Sequence, residues 1–147
     1  MRILVDGDAM PGAASEILFR AAFRKKITVI VIANSYKLVP ESPLFSSLVV
    51  SQGPDIADDK IVEMTEEGDL VITADIPLAH RVVEKGGYAL NPRGELYTKN
   101  NIGARLDVRD YAQYLRDSGV QTGGSSPFGA KQKQAFAAQL DRILAKI

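Results

Sequence analysis

Three groups of acidic residues stand where apolar runs end or helical patterns begin: Asp6 with Asp8, then Asp55, Asp58 and Asp59, then Asp75. Asp6 directly follows Ile3-Leu4-Val5, and Asp75 closes the run Leu70-Val71-Ile72-Thr73-Ala74. Carboxylates brought together repel one another unless a cation sits among them. The chain has no Cys and only His80, which excludes thiolate ligation, a thiol nucleophile and any site built from two histidines of one chain. Oxygen ligands alone suit Mg²⁺ or Mn²⁺, ions that polarise a phosphate oxygen and activate water. Asp is also a favoured helix N-cap. Asp8, Asp55, Asp58 and Asp75 each precede or open a helical pattern, so capping competes with ligation at any one of them. Taken together, two strand-terminal aspartates and an acidic helix start are read as a site.

The elements that must position these residues follow from periodicity. Ile3-Leu4-Val5 reads as a buried strand, and Pro11 suits the first turn of the helix after it. Apolar residues at Ile17, Leu18, Ala21 and Ala22 recur at helical spacing, and Arg24-Lys25-Lys26 closes that helix with positive charge. Ile27 to Ala33 is a continuous β-branched run, expected for a strand covered on both faces. Residues 34–47 read as a loop and Leu48-Val49-Val50 as a short strand. A helix opening at Asp55 or Ala57 carries Ile61, Val62 and Met64. Asp69 to Thr73 is a third apolar strand. The helix starting at Pro77 presents Leu78, Ala79, Val82 and Val83, and Gly86-Gly87 ends it. Tyr88-Ala89-Leu90 is a further strand, Asn91-Pro92-Arg93-Gly94 a turn, and Glu95-Leu96-Tyr97 an edge strand. Residues 102–117 are helical in pattern, with an interruption expected near Leu106-Asp107. Gln121 to Ala130 is rich in Gly and Ser and reads as a flexible loop before a last helix over 131–146. Alternating strands and helices predict an α/β layer fold with a mostly parallel central sheet. Ligands bind such sheets beyond the carboxyl ends of the strands, where Asp6, Asp8 and Asp75 would converge and the start of the Asp58/Asp59 helix would face them.

Four stretches carry a family resemblance: Val5-Asp6-Gly7-Asp8-Ala9-Met10-Pro11, Asp55-Ile56-Ala57-Asp58-Asp59-Lys60-Ile61-Val62, Asp69-Leu70-Val71-Ile72-Thr73-Ala74-Asp75-Ile76-Pro77-Leu78-Ala79 and Leu90-Asn91-Pro92-Arg93-Gly94-Glu95-Leu96-Tyr97. With Val120-Gln121-Thr122-Gly123-Gly124 near the end, the chain resembles the YaiI/YqxD family of bacterial proteins over nearly its whole length. The pattern of that family is similar to PIN-like and NYN-like nuclease domains. The resemblance implies one PIN-like domain over 1–147, a three-layer sandwich. It places Asp6 at the first metal-binding aspartate, Asp58 or Asp59 at the helix acid and Asp75 at the acid after the later strand, with Asp8 as a further ligand or supporting group. Gly7 and Met10 depart from the Asp-Ala-Asp-Ala-Cys-Pro form usual in the family, and the residues after Gly124 depart as well.

Basic and polar residues at loops supply the expected substrate contacts. Asn34 follows a strand, Arg93 sits in a turn from which a guanidinium can grip a phosphate bidentately, and Lys131 and Lys133 open the last helix. His80 is assigned no role. The expected activity is metal-dependent hydrolysis of RNA or single-stranded nucleic acid, with Asp6, Asp59 and Asp75 as the catalytic set and Asp6, Asp8, Asp58, Asp59 and Asp75 as metal ligands for Mg²⁺ or Mn²⁺. Two alternatives stand beside it. A phosphatase of the haloacid-dehalogenase type would use Asp6-Gly7-Asp8 as its Asp-x-Asp pair, although Met10 stands where that motif wants Thr or Val. A non-catalytic module would keep the acidic pocket for binding a metal or nucleic acid.

Composition bounds these readings. The chain has 147 residues, 46% of them hydrophobic and 24% charged, which fits one globular domain with a real core. Its 18 basic and 18 acidic residues cancel, which excludes a strongly basic nucleic-acid binder but not a local basic patch. The start MRILVDGD enters a strand pattern at once, without the apolar stretch of a signal peptide. The run Ile27–Ala33 is far short of the ~20 residues that cross a bilayer. A soluble, cytoplasmic protein without membrane contact is expected.

Overall fold

The structure, a computed structural model, describes residues 1–119 and 128–146. Its strands β1 (Ile3–Asp6), β2 (Val29–Ala33), β3 (Phe45–Val49), β4 (Leu70–Ile72), β5 (Tyr88–Leu90) and β6 (Leu96–Tyr97) form one sheet in the order β3-β2-β1-β4-β5-β6. All neighbours pair in parallel except β6, which runs antiparallel to β5. The helices are α1 (Gly12–Lys25), α2 (Ile56–Met64), α3 (Ile76–Glu84), α4 (Ile102–Asp117) and α5 (Ala130–Leu144).

The period of two along each strand divides the interior into two cores. Ile3 and Val5 of β1 join Val29, Val31, Leu70, Ile72 and Leu90 on the face covered by α1 and α5. Leu4, Ile32, Val71 and Ala89 point the other way, against Ile61 of α2 and Leu78, Ala79, Val82 and Val83 of α3. Helices on both faces of one sheet make a three-layer α/β sandwich, and they explain why the central strands are apolar without alternation. No helix among the described residues is long and apolar enough to cross a membrane.

The departures from expectation have local causes. β3 starts at Phe45, inside the expected loop, because an edge strand buries few residues: Phe45 is buried while Ser46 and Val49 are exposed, so no apolar run announces it. Pro11 sits just before α1, at its N-cap, rather than within its first turn. α4 continues unbroken past Leu106-Asp107. The expected loop over 121–130 lies outside the described residues as far as 127. Its last residues are ordered into the fold: Phe128 packs against the core under α1 and α5, and α5 begins at Ala130.

The strand order sets the site. From β1 the chain moves outward through β2 to β3, then returns to place β4 on the other side of β1. Successive crossovers thus leave β1 and β4 in opposite directions, and a crevice opens beyond their carboxyl ends.

Candidate functional site

Asp6 is the last residue of β1, and Thr73 and Asp75 follow β4. A chain of hydrogen bonds joins them. The buried Thr73 hydroxyl donates to Asp6 Oδ2 at 3.0 Å and accepts from the Asp75 N–H at 3.0 Å. Asp75 Oδ1 in turn accepts the Leu78 N–H at 3.0 Å, so Asp75 is the N-cap of α3. Thr73 bonding to the backbone two residues on is the turn that Ser and Thr commonly make. One side chain thus ties the Asp6 carboxylate to the Asp75 backbone.

Asp58, in the first turn of α2, completes the cluster. Burial and the negative charges of Asp75, Asp6 and Asp55 push its carboxyl up to about 6, against a smaller opposing pull from Arg81. Burial also raises Asp6, opposed by the Thr73 hydrogen bond and assisted by the charges of Asp75 and Asp8. Burial is the larger cause of both shifts, and neighbouring carboxylate charge adds to each.

Asp59 belongs elsewhere. It is exposed and holds Arg81 of α3 in an ion pair at 2.8 Å. Consecutive helical residues point about 100° apart, so only one of Asp58 and Asp59 can face the crevice. Of the two acids, Asp58 rather than the expected Asp59 is the one on which the charges of Asp6 and Asp75 act. A sequence signal for this existed: Asp58 lies three residues before Ile61, the fully buried residue of α2, and shares its face.

Asp8 turns toward β2 rather than β4. In the short 3₁₀ turn Gly7–Ala9, its carboxylate accepts the Asn34 N–H at 3.0 and 3.3 Å, with Lys37 Nζ at 4.0 Å. Its charge is still felt by Asp6. His80 pairs with Glu84 at 3.3 Å. Among the described residues, no three His, Cys, Asp or Glu side chains are gathered into a set that grips one metal ion as they stand.

The sequence matches the family described as "Uncharacterized BCR, YaiI/YqxD family" over residues 4–146. The chain belongs to the YaiI/YqxD family. Similar proteins include the UPF0178 protein of Shewanella pealeana, 55% identical over 99% of this chain and 97% of its own length. The UPF0178 protein DP1304 of Desulfotalea psychrophila is 56% identical over 100% of this chain and 99% of its own. The chain also resembles the homospermidine synthase of Legionella pneumophila solved in complex with NAD, at a TM-score of 0.48 and 16% identity, covering 95% of this chain and 38% of that one. At that level the likeness says nothing about activity.

In this YaiI/YqxD member the expected substrate-binding residues separate. Asn34 lies at the head of β2, where its backbone N–H holds Asp8. Arg93 sits in the turn after β5, whose shape is set by Asn91: its Oδ1 accepts the Arg93 N–H at 2.7 Å and its Nδ2 donates to the Tyr97 hydroxyl at 2.9 Å. Gly94, at φ +98°, closes the turn against α5 so tightly that a Cβ there would lie 2.6 Å from the Ala135 carbonyl carbon. Lys131 and Lys133 are exposed in the first turn of α5, about one turn before that contact. Thr73 is the site residue that sequence reading passed over, although a Thr two residues before a strand-terminal Asp is its local signature.

Proposed function

We propose that this protein is a metal-dependent nuclease that hydrolyses phosphodiester bonds of RNA or single-stranded nucleic acid, with Asp6, Asp58 and Asp75 holding Mg²⁺ or Mn²⁺. One observation carries the reading: the Asp6–Thr73–Asp75 chain lies at the topological switch point, and the charges of Asp75 and Asp6 add to burial in pushing the Asp58 carboxyl up to about 6. A PIN-like assignment belongs to this proposal, and the sheet order with acids at the heads of β1 and β4 supports it.

The donor set fits a hard divalent ion in kind, since carboxylate oxygens are its preferred ligands and the excess negative charge is what a cation would relieve. When bound, such an ion polarises a phosphate oxygen and lowers the pKa of water. The protein's own residues do the rest. Thr73 holds Asp6 in one orientation through its hydroxyl. The α3 N-terminus fixes Asp75 through the Leu78 N–H. Asp58, which retains its proton to about pH 6, must release it before the cluster can take up a cation. Divalent-ion affinity is therefore expected to fall as pH drops through about 6.

The test uses a 5′-labelled single-stranded RNA with Mn²⁺ or Mg²⁺, with EDTA, and with Asp6→Asn and Asp75→Asn proteins prepared identically. Cleavage with the ion, lost with EDTA and in both variants, is the expected result. Cleavage that persists in EDTA or at equal rate in the variants belongs to a contaminant. Mn²⁺ binding by calorimetry without cleavage by any preparation would leave a non-catalytic binding module, and phosphate trapped on Asp6 would favour the phosphatase.

A further inference from the structure

Beside the carboxylates a second surface of opposite sign runs along α4. A groove of about 410 Å³ lies between the Asn91–Gly94 turn and α4, lined by Arg93, Arg105, Arg109 and Arg116. Ile76 and Asn91 also line it. Ile76 directly follows Asp75 and Asn91 directly follows β5, so the groove adjoins the crevice that holds the acidic cluster. We propose that this groove binds the sugar–phosphate backbone of a single nucleic-acid strand and leads it to the carboxylates. The inference rests on the nuclease reading for the second half of that statement and on the groove alone for the first.

Three observations carry it. First, Arg105, Arg109 and Arg116 are spaced by four and seven residues, which keeps them within about 40° of one another on one stripe of a helix. From the first to the last the stripe rises about 16 Å, longer than a single phosphate and suited to a repeating anion. Second, Glu95 is the one carboxylate among the described residues lining the groove, and it is matched by Arg105, whose Nε donates to Glu95 Oε1 at 2.8 Å. Arg109 pairs with its chain neighbour Asp110 at 3.3 Å, and Arg116 donates to the neutral Gln113 at 2.8 Å, whose amide donates to Asp117 at 2.9 Å. Guanidinium charge thus exceeds carboxylate charge along the lining, in a chain whose formal net charge is zero. Third, the outer face of α4 does little for the core. Ile102 is its only fully buried residue among those described, so its arginines are not explained by packing. Guanidinium groups grip phosphate through paired N–H donors, and a strand threaded past an acidic cluster needs such a counterweight to approach it.

The experiment measures anisotropy of a fluorescent single-stranded oligoribonucleotide against salt, in the Asp75→Asn background so that turnover does not intervene. Arg109→Gln with Arg116→Gln is compared with Arg24→Gln on the opposite face of the sheet, where Arg24 pairs with Asp141. Thermal melts check that each protein is folded. The groove double variant is expected to bind about tenfold more weakly or worse and to lose about 1.4 from the slope of log K against log salt, roughly 0.7 per phosphate contact removed. Arg24→Gln should match its parent. Equal losses in both variants, an unchanged salt slope, no binding by the parent, or equally tight groove-dependent binding of polyglutamate would each overturn the proposal. Binding with the expected slope loss, in a protein that never cleaves, would keep the groove and remove the nuclease reading.

Discussion

Asp69 and Asp6 sit at opposite ends of two neighbouring strands and meet opposite surroundings. Asp69 precedes β4 at the amino end of the sheet, beside Arg2. It is buried, yet its carboxylate accepts the Arg2 N–H, the Glu66 N–H and the Arg2 guanidinium, each at 3.0 Å. Burial raises its carboxyl, but the hydrogen bonds from Glu66 and Arg2 and the Arg2 charge outweigh that, leaving it below the ordinary value. The Arg2 guanidinium is itself tied down by the Met64 carbonyl at 2.6 Å. At the carboxyl end Asp6 has one hydroxyl, Asp75 one capping N–H, and Asp58 a distant Arg81 that is already bound to Asp59. An acid whose donors are all supplied by the fold is structural. An acid left short of them is where the proposed function places its cation.

The largest effect that would sharpen the contrast is at Asp69. Asp69→Ala removes one partner of a buried pair and strands the Arg2 and Glu66 N–H donors, at a cost of about 3 kcal/mol. Urea unfolding with an unchanged m-value measures it. The pH sign follows from the lowered carboxyl: this stability is present above about pH 4 and is lost as pH falls through the lowered folded value. Asp6→Asn should do the reverse. Mn²⁺-dependent cleavage is expected to fall about 100-fold or more, some 2.7 kcal/mol of transition-state stabilisation, while the metal-free melting temperature stays level or rises. If Asp6→Asn unfolds as readily as Asp69→Ala, the two ends of the sheet do not differ in kind.

Most of the scaffold was legible because its cause is local. Val29–Ala33 and Leu70–Ile72 are apolar without a break since helices cover both faces of the sheet, and Leu78, Ala79, Val82 and Val83 repeat at helical spacing because one face of α3 is buried. Only the end of β3, at Leu48 and Val49, was legible as strand; its start was not, because Ser46 and Ser47 interrupt the apolar run on an edge. Asp6 and Asp75 announced themselves as acids at the ends of buried runs. The Asp58/Asp59 choice turned on 100° of helix rotation that composition does not reveal, although Ile61 fixes it. The arginine stripe of α4 can be counted in the sequence, but its partner surface, the Asn91–Gly94 turn, is brought beside it only by the β5–β6 pairing.

A smaller effect is expected at Asp58. Its folded carboxyl, raised to about 6, prefers the proton that the unfolded chain gives up near 4. Stability should therefore fall as pH rises from about 4 to about 6, and Asp58→Asn should remove that loss. Because Asp58 is partly open to solvent, the gain at pH 7 is discounted to about 1 kcal/mol. It should vanish toward pH 4, which melting curves across that window would show. A gain independent of pH would mean that helix propensity or packing, not charge, is responsible.

The smallest effect is at Asp75, the residue that belongs to both kinds. Its Oδ1 caps α3 while its charge raises the carboxyls of Asp6 and Asp58. The two roles separate by substitution. Asp75→Asn keeps an oxygen for the Leu78 N–H and removes the charge, so it should match or slightly exceed the parent in metal-free stability. Asp75→Ala relieves the same repulsion but loses the cap, worth about 0.5–1 kcal/mol. Asn should therefore stand above Ala by about that amount, with both equally without cleavage. Chemical denaturation of the pair at pH 7 decides it. If Ala and Asn are equally stable, the Leu78 contact contributes nothing. If Asn is also destabilised, the Asp75 charge is itself structural, and the carboxyl end of the sheet resembles the Asp69 end more closely than its hydrogen bonds indicate.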